Sequence, residues 1–351
     1  MDILSILQEL VSARGPCGQE EEVHTLCKQY MRPLCDELWT DPSGNLIGKI
    51  SGNSGAPAIR IIAHMDELSM IVKRIHKDGR LRIEPLGGIY PANFGQGTVE
   101  IMGDEETILG VLSTGPMHVS QESKKNLDTR PKGMKGNGKA VEWDQIYVVT
   151  RKSKEELRLL GVHPGTRVVI AKERRKLQMV EDCVAGYFMD NRAAIVVMLE
   201  TMRRLKESQT TPEVDVYFVA SNQEEVGGFG ACYASRTLPG ETTIALDVGP
   251  IAEEYETTLS AAPIIVYGDQ VGLYDKSVCD RLLGTSRKLK METQCAIFSG
   301  YGSDASLAKA FGQAGKTGLL CIPTENTHGY EIIHKEAISQ CAKLLTSFLS
   351  P

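Results

Sequence analysis

The chain has 351 residues, 42% of them hydrophobic and 24% charged, which is enough apolar material for a large core and too balanced a composition for wholesale disorder. A net charge of −6, from 39 basic and 45 acidic residues, with only 6% aromatics, argues against a broad basic face that stacks nucleic-acid bases. No run approaches the roughly 18 apolar residues of a bilayer span. Nine scattered cysteines with no C-x-x-C pair read as small buried hydrophobes of a reducing compartment. The expected location is the cytoplasm, with neither nucleic acid nor membrane as partner.

The first 38 residues read as an amphipathic helical region, with Leu4, Ile6, Leu7, Leu10 and Val11 at helical spacing and a break at Arg14-Gly15-Pro16-Cys17-Gly18. After the turn Asp41-Pro42-Ser43-Gly44-Asn45, the apolar runs Leu46–Ile50 and Ile59–Ala63 predict strands. From 67 to 175, short β-like segments (Ser69–Ile75, Leu81–Pro85, Thr98–Met102, Val111–Ser113, Val168–Ile170) alternate with Gly-rich turns. Within that stretch, 121–140 is polar and lysine-rich and reads as an exposed, protease-sensitive loop. Ser153-Lys154-Glu155-Glu156 marks a helix start. Beyond 186 come a helix over 191–207, strands at 214–220, 243–246 and 319–322, a helix near 304–311 and a terminal helix over 332–349. The pattern predicts an α/β fold: a layered domain, 1–66 and 176–351, split by a small β-rich insertion at 67–175.

Several of these strands end on chemistry-bearing residues. Ile59–Ala63 leads to His64 and Asp66, 214–220 to Gln223, Glu224 and Glu225, 243–246 to Asp247, and 319–322 to Thr327 and His328, while Asp190 directly precedes a helix. In an open α/β sheet, sites lie outside the carboxyl ends of the strands, so these residues are expected to converge. Each has a blander reading alone: a histidine after a strand is commonly structural, and Asp66 or Asp304 can cap a turn or helix. Together, so many carboxylates would repel one another in a crevice unless a divalent cation resolved the conflict. Mixed imidazole and carboxylate ligation suits zinc, cobalt or manganese better than calcium. Two histidines and three carboxylates can hold two metals if one carboxylate bridges, an apparatus for hydrolysing amides and phosphate esters. One further carboxylate would then serve as general base. His24, His76, His118, His163 and His334 lack this setting and read as structure or surface.

The motifs Ala63-His64-Met65-Asp66-Glu67, Asp190-Asn191-Arg192, Gln223-Glu224-Glu225-Val226-Gly227 with Gly230-Ala231, Leu246-Asp247-Val248 and Pro323 followed by His328 resemble those of the tetrahedral (TET) and glutamyl aminopeptidases. Some proteins of that family were once labelled cellulases or endoglucanases. The resemblance runs along essentially the whole chain. It implies an α/β fold in which a mixed-sheet metallopeptidase catalytic domain carries an inserted small β-barrel-like dimerisation domain. It further implies two divalent metal ions, zinc or cobalt with manganese as a third choice, on His64, Asp190, Glu225, Asp247 and His328, with Asp190 bridging. Glu224 would be the general base, and Asp66 would orient His64. Peptide substrates, dimers and a hollow homo-oligomeric dodecamer are implied as well.

The chain departs from the family pattern at Gly228-Phe229, Ser260-Ala261-Ala262-Pro263, Gly302-Ser303-Asp304-Ala305 and Glu325-Asn326-Thr327, so the chemistry carries over more directly than the side-chain preference. Three other readings compete. A related amidohydrolase of N-acyl amino acids, or a carboxypeptidase, would use the same metals. A metal-free glycosidase would need an acid and nucleophile roughly 5–5.5 Å apart, and adjacent extended residues such as Glu224 and Glu225 point apart. A scaffold that has lost catalysis would not need the ligands.

Overall fold

The computed structural model describes residues 2–115 and 140–350. Apart from residue 140, the lysine-rich loop expected at 121–140 lies outside the described residues, as does His118. The chain divides into two compact units, Met1–Glu67 with Lys176–Pro351, and Leu68–Arg175.

The first unit opens with the helix Ile3–Ser12, whose N-cap Asp2 accepts a hydrogen bond from Leu4 N and which buries Ile6, Leu7, Leu10 and Val11. A second helix, Glu21–Met31, carries Glu21 and Glu22 in its first turn, where they complement the positive end of the helix dipole. Strands β1 (Glu37–Thr40), β2 (Leu46–Ile50) and β3 (Ile59–His64) follow. The second unit then supplies β4 (Ser69–Ile75), β5 (Leu81–Leu86), β6 (Gly97–Met102), β7 (Thr107–Ser113), β8 (Tyr147–Val149) and β9 (Arg167–Ile170), before the chain returns to the first.

These six strands close into a barrel in the order β4-β5-β8-β7-β6-β9. Burial alternates along β7, so Ile108, Gly110 and Leu112 face inward, as a small, side-chain-filled barrel requires. Gly110 is needed there, because a Cβ would sit 2.5 Å from Val148 Cγ1. The short helix Lys154–Leu159 starts at the expected place, with Ser153 and Glu156 forming a capping box.

The rest of the first unit adds β10 (Gln178–Val180), β11 (Cys183–Tyr187), β12 (Val216–Ser221), β13 (Thr242–Pro250), β14 (Ile264–Gly268), β15 (Gln294–Ile297), β16 (Lys316–Glu325) and β17 (Tyr330–His334). With β1–β3 they build an eleven-stranded mixed sheet, β1-β2-β12-β3-β13-β16-β17-β11-β10, with β14 pairing β16 and β15. The central strands β12, β3, β13 and β16 are parallel to one another. All six residues of β3 are buried, the near-continuous apolar reading of a parallel strand covered on both faces. The helix Met189–Glu207 is buried along most of its length.

The sequence reading departs most from the structure at the terminal helix. The terminal helix begins at Ala337, not Ile332, because Ile332 and Ile333 belong to β17 and pair with Ala185 and Val184 of β11. Two adjacent β-branched residues suit that ladder better than a helix. Strands β13 and β16 also run on together past Asp247, in register to Pro250 and Thr324. No helix among the described residues is long and apolar enough to cross a membrane. All nine cysteines are free, and Cys17, Cys27, Cys183, Cys279, Cys321 and Cys341 are buried.

Candidate metal centre

The parallel register sets His64 of β3 beside Ser221 at the end of β12, so the segment after β12 begins next to that imidazole. All seven residues singled out in the sequence meet there. His64 Nε2 lies 3.1 Å from Asp190 Oδ1, 3.9 Å from Glu224 Oε2 and 4.0 Å from Asp247 Oδ1. His328 Nε2 approaches the other Asp190 oxygen at 3.5 Å. His64, Asp190 and Glu225 offer donor atoms within 4.8 Å of one another. Asp66 and His64 are both essentially buried, while the His328 ring is 39% exposed, which puts that imidazole at the open side.

The backbone carrying these groups is held by buried carboxylates. Asp66 accepts the amide hydrogens of Glu224 at 3.0 Å and Glu225 at 3.1 Å, and the Cys17 thiol at 3.2 Å. Its tie to the His64 ring is looser: Nδ1 is 3.2 Å from the Asp66 carbonyl and 3.5 Å from its carboxylate. Glu331, which the sequence reading overlooked, accepts the amides of Asp190 at 3.0 Å and His328 at 3.1 Å. Arg192, read only as part of a motif, donates to the carbonyls of Leu10, Met65 and Asp66 and pairs with Glu67 at 2.7 Å, both side chains fully buried. These ties matter because Phe188, Gln223 and His328 all have positive φ. A non-glycine residue in the left-handed region persists only when its surroundings over-determine it.

Charge at the site is unbalanced. Burial, aided by neighbouring acids, pushes Glu224 and Glu225 well above the usual carboxylate range. Burial and then Asp190 raise Asp247 to about 8, and burial and then Asp190 raise Glu331 to about 8. Asp190 itself is held low, since His64 and His328 outweigh its burial. Asp66 is likewise low, where His64 and two amides overcome desolvation. Asp304, at the start of the helix Asp304–Ala310, accepts from Ser221 Oγ at 2.6 Å, and burial raises it to about 6. Tyr301 donates to Val248 O at 2.8 Å and acts on Asp247, an aromatic support with no linear signature.

Asp190 Oδ1 and Glu225 Oε1 are buried without an aligned hydrogen-bond donor. Buried carboxylate oxygens are ordinarily satisfied, and imidazole and carboxylate atoms this close are a donor set for a divalent cation. The residues present therefore fit a metal.

The comparisons with known proteins agree with this chemistry. The profile described as M42 glutamyl aminopeptidase matches residues 44–344. The lysyl aminopeptidase of Pyrococcus furiosus is 27% identical over 98% of this chain and 96% of its own. Among solved structures, the aminopeptidase APDkam598 of Desulfurococcus kamchatkensis superposes with a TM-score of 0.86 at 26% identity, covering 99% of this chain and 94% of that one. The TET1 peptidase of Pyrococcus horikoshii, which can assemble into a tetrahedron or a large octahedral shell, has the same fold, with a TM-score of 0.86 at 23% identity over 99% of both chains. From residue 44 to residue 344, this chain belongs to the M42 glutamyl aminopeptidase family, whose members are metal-dependent hydrolases.

Proposed function

We propose that the chain removes residues from the free N-termini of peptides, using two divalent metal ions and Glu224 as general base. The observation that carries this reading is Asp190 between two imidazoles, 3.1 Å from His64 Nε2 through one oxygen and 3.5 Å from His328 Nε2 through the other. A carboxylate so placed suits a bridge between two cations, with His64, Glu225, Asp247 and His328 completing the ligand set. Zinc or cobalt suits these donors best, with manganese third. When bound, such a pair polarises the scissile carbonyl and lowers the pKa of water.

The chain's own residues do the rest. Glu224 accepts the proton of the attacking water on a carboxylate oxygen and returns it to the departing amine nitrogen. Asp66 fixes the backbone of Glu224 and Glu225 through two adjacent amides, so base and ligand keep one relative position. The surplus of acidic groups gives a free α-ammonium its counter-charge.

The same proposal extends to organisation. Residues 1–66 and 176–351 carry catalysis, and 67–175 form a dimerisation domain. Dimers assemble further into a homo-oligomer, a dodecamer, as the tetrahedral assembly of the related TET1 peptidase suggests. The enzyme works in the cytoplasm.

The test is cleavage of a peptide library, half of it N-acetylated, followed by mass spectrometry with a chelated control. Stepwise loss from free N-termini only is expected. Cleavage of acetylated peptides or from the carboxyl end would move the enzyme to the amidohydrolases or carboxypeptidases. Glu224→Gln should keep two metal equivalents yet lose about 10²–10⁴-fold in kcat; near-native turnover in the loaded variant would remove Glu224 as base.

A further inference from the structure

The turn Asp41–Asn45 joins β1 to β2 and supplies none of the proposed ligands, yet it is wired to the segment that carries Glu224 and Glu225. Asn45 is fully buried. Its Oδ1 accepts the amide hydrogen of Asn222 at 3.2 Å, and its Nδ2 donates to the Gly230 carbonyl at 2.9 Å and to Asp41 Oδ2 at 2.7 Å. One side chain thus reaches both ends of the loop Asn222–Gly230. Asp41 orients it, accepting Ser43 N at 2.9 Å and Asn45 N at 3.0 Å through its other oxygen, the self-bonding habit of aspartate in turns. Asn222 closes the circuit by donating through Nδ2 to the Ser43 carbonyl.

We propose that Asn45 is a positioning residue for the general base, clasping the two ends of the loop that presents Glu224. The proposal rests on the base reading above. The loop needs an external tie, because Gln223 has φ +53°, a left-handed conformation that a non-glycine residue does not hold unaided. Asp66 secures its middle through the amides of Glu224 and Glu225, and Asn45 secures its ends. Both amide hydrogens of Asn45 and its carbonyl are used, so the side chain has one orientation. The fit around it is close: a Cβ on Gly230 would lie 2.4 Å from Asn45 Oδ1 and 2.5 Å from Asn222 O. A base displaced by about 1 Å loses on the order of 10²-fold in rate, so loosening the ends should appear in kcat rather than in substrate binding.

Asn45→Ala would unmake the turn as well as the clasp. The informative variant is the exchange Asp41→Asn with Asn45→Asp. It restores one donor and one acceptor between positions 41 and 45 and keeps an acceptor for Asn222 N. It replaces the donor to the Gly230 carbonyl with a carboxylate oxygen, which repels that carbonyl and opens the clasp at its Gly230 end. The expected result for the metal-loaded protein is a lower melting temperature with two metal equivalents retained, an unchanged KM and a kcat lower by about 30- to 100-fold. In a Glu224→Gln background the same exchange should have little further effect. Native kcat in the exchange variant would overturn the proposal. So would a full-strength loss on top of an already crippled Glu224→Gln enzyme, because Asn45 would then act other than through the base. Near-native turnover of Glu224→Gln by itself would instead locate the failure in the base assignment.

Discussion

In the unit Leu68–Arg175, the buried polar residues among those described are Ser69, Thr150, Thr166 and Arg175. The unit formed by Met1–Glu67 and Lys176–Pro351 buries Glu20, Asp41, Asp66, Glu67, Asp190, Glu200, Asp247, Asp304 and Glu331. The barrel follows the ordinary rule that acids stay in water. The sheet unit breaks it, and its acids fall into classes. Glu67 and Glu200 have arginine partners, and Asp66 and Glu331 are satisfied by backbone amides. Among the described residues, Asp190 has imidazoles as its only positive partners at the site but also lies against Glu225, and Asp247 is raised by burial and by Asp190. The difference separates a region that is finished by its own packing from one whose charge is completed by what it binds.

The strongest way to break that comparison is to strip the metal. Chelation should abolish turnover and remove about 4 kcal/mol of stability from a protein that had been held at a thousand times the metal dissociation constant. Hydrogen exchange should then rise in β3, β12 and β13 and stay unchanged in β4–β9. Equal loss of protection in the barrel strands would erase the distinction. Next in size is Glu67→Gln, which leaves the Arg192 guanidinium buried without its counter-charge and should cost about 3–5 kcal/mol in urea unfolding. Glu331→Ala comes third: freeing the amides of Asp190 and His328 should weaken metal binding by about 10- to 100-fold by titration calorimetry, and unchanged affinity would reduce Glu331 to ordinary structure. The smallest effect belongs to the barrel. Ile101→Val, at a fully buried position, should cost about 0.5–1.5 kcal/mol and leave kcat per metal-loaded subunit where it was.

The strand-end histidines and acids were legible in the sequence because a fully covered parallel strand leaves a long apolar run, and the first polar residue after it marks the sheet edge. His64 after Ile59–Ala63 is the clearest instance. Asp247 was legible as a residue, though its strand continues to Pro250, since the run of β13 is set by the partner β16 and not by local composition. The supports were harder to see. Glu331 sits in a strand that reads as helix when Ile332 and Ile333 are taken with the helical stretch after them, and its partners are amides, which leave no trace in side-chain identity. Asn45 looks like turn punctuation, because its bonds to Asn222 and Gly230 exist only once β2 and β12 have paired.

The proposed ligands are spread from His64 to His328, and the whole barrel lies between the first of them and Asp190. A ribosome adds roughly 5–20 residues per second, so the two imidazoles are synthesised some tens of seconds apart. Every strand of the barrel is complete before Asp190 is made, whereas β3, at the centre of the sheet, must wait for both of its parallel neighbours, β12 and β13. During translation all six barrel strands are therefore present while the sheet still lacks β12–β17, and the candidate metal centre can be completed only once His328 has been made.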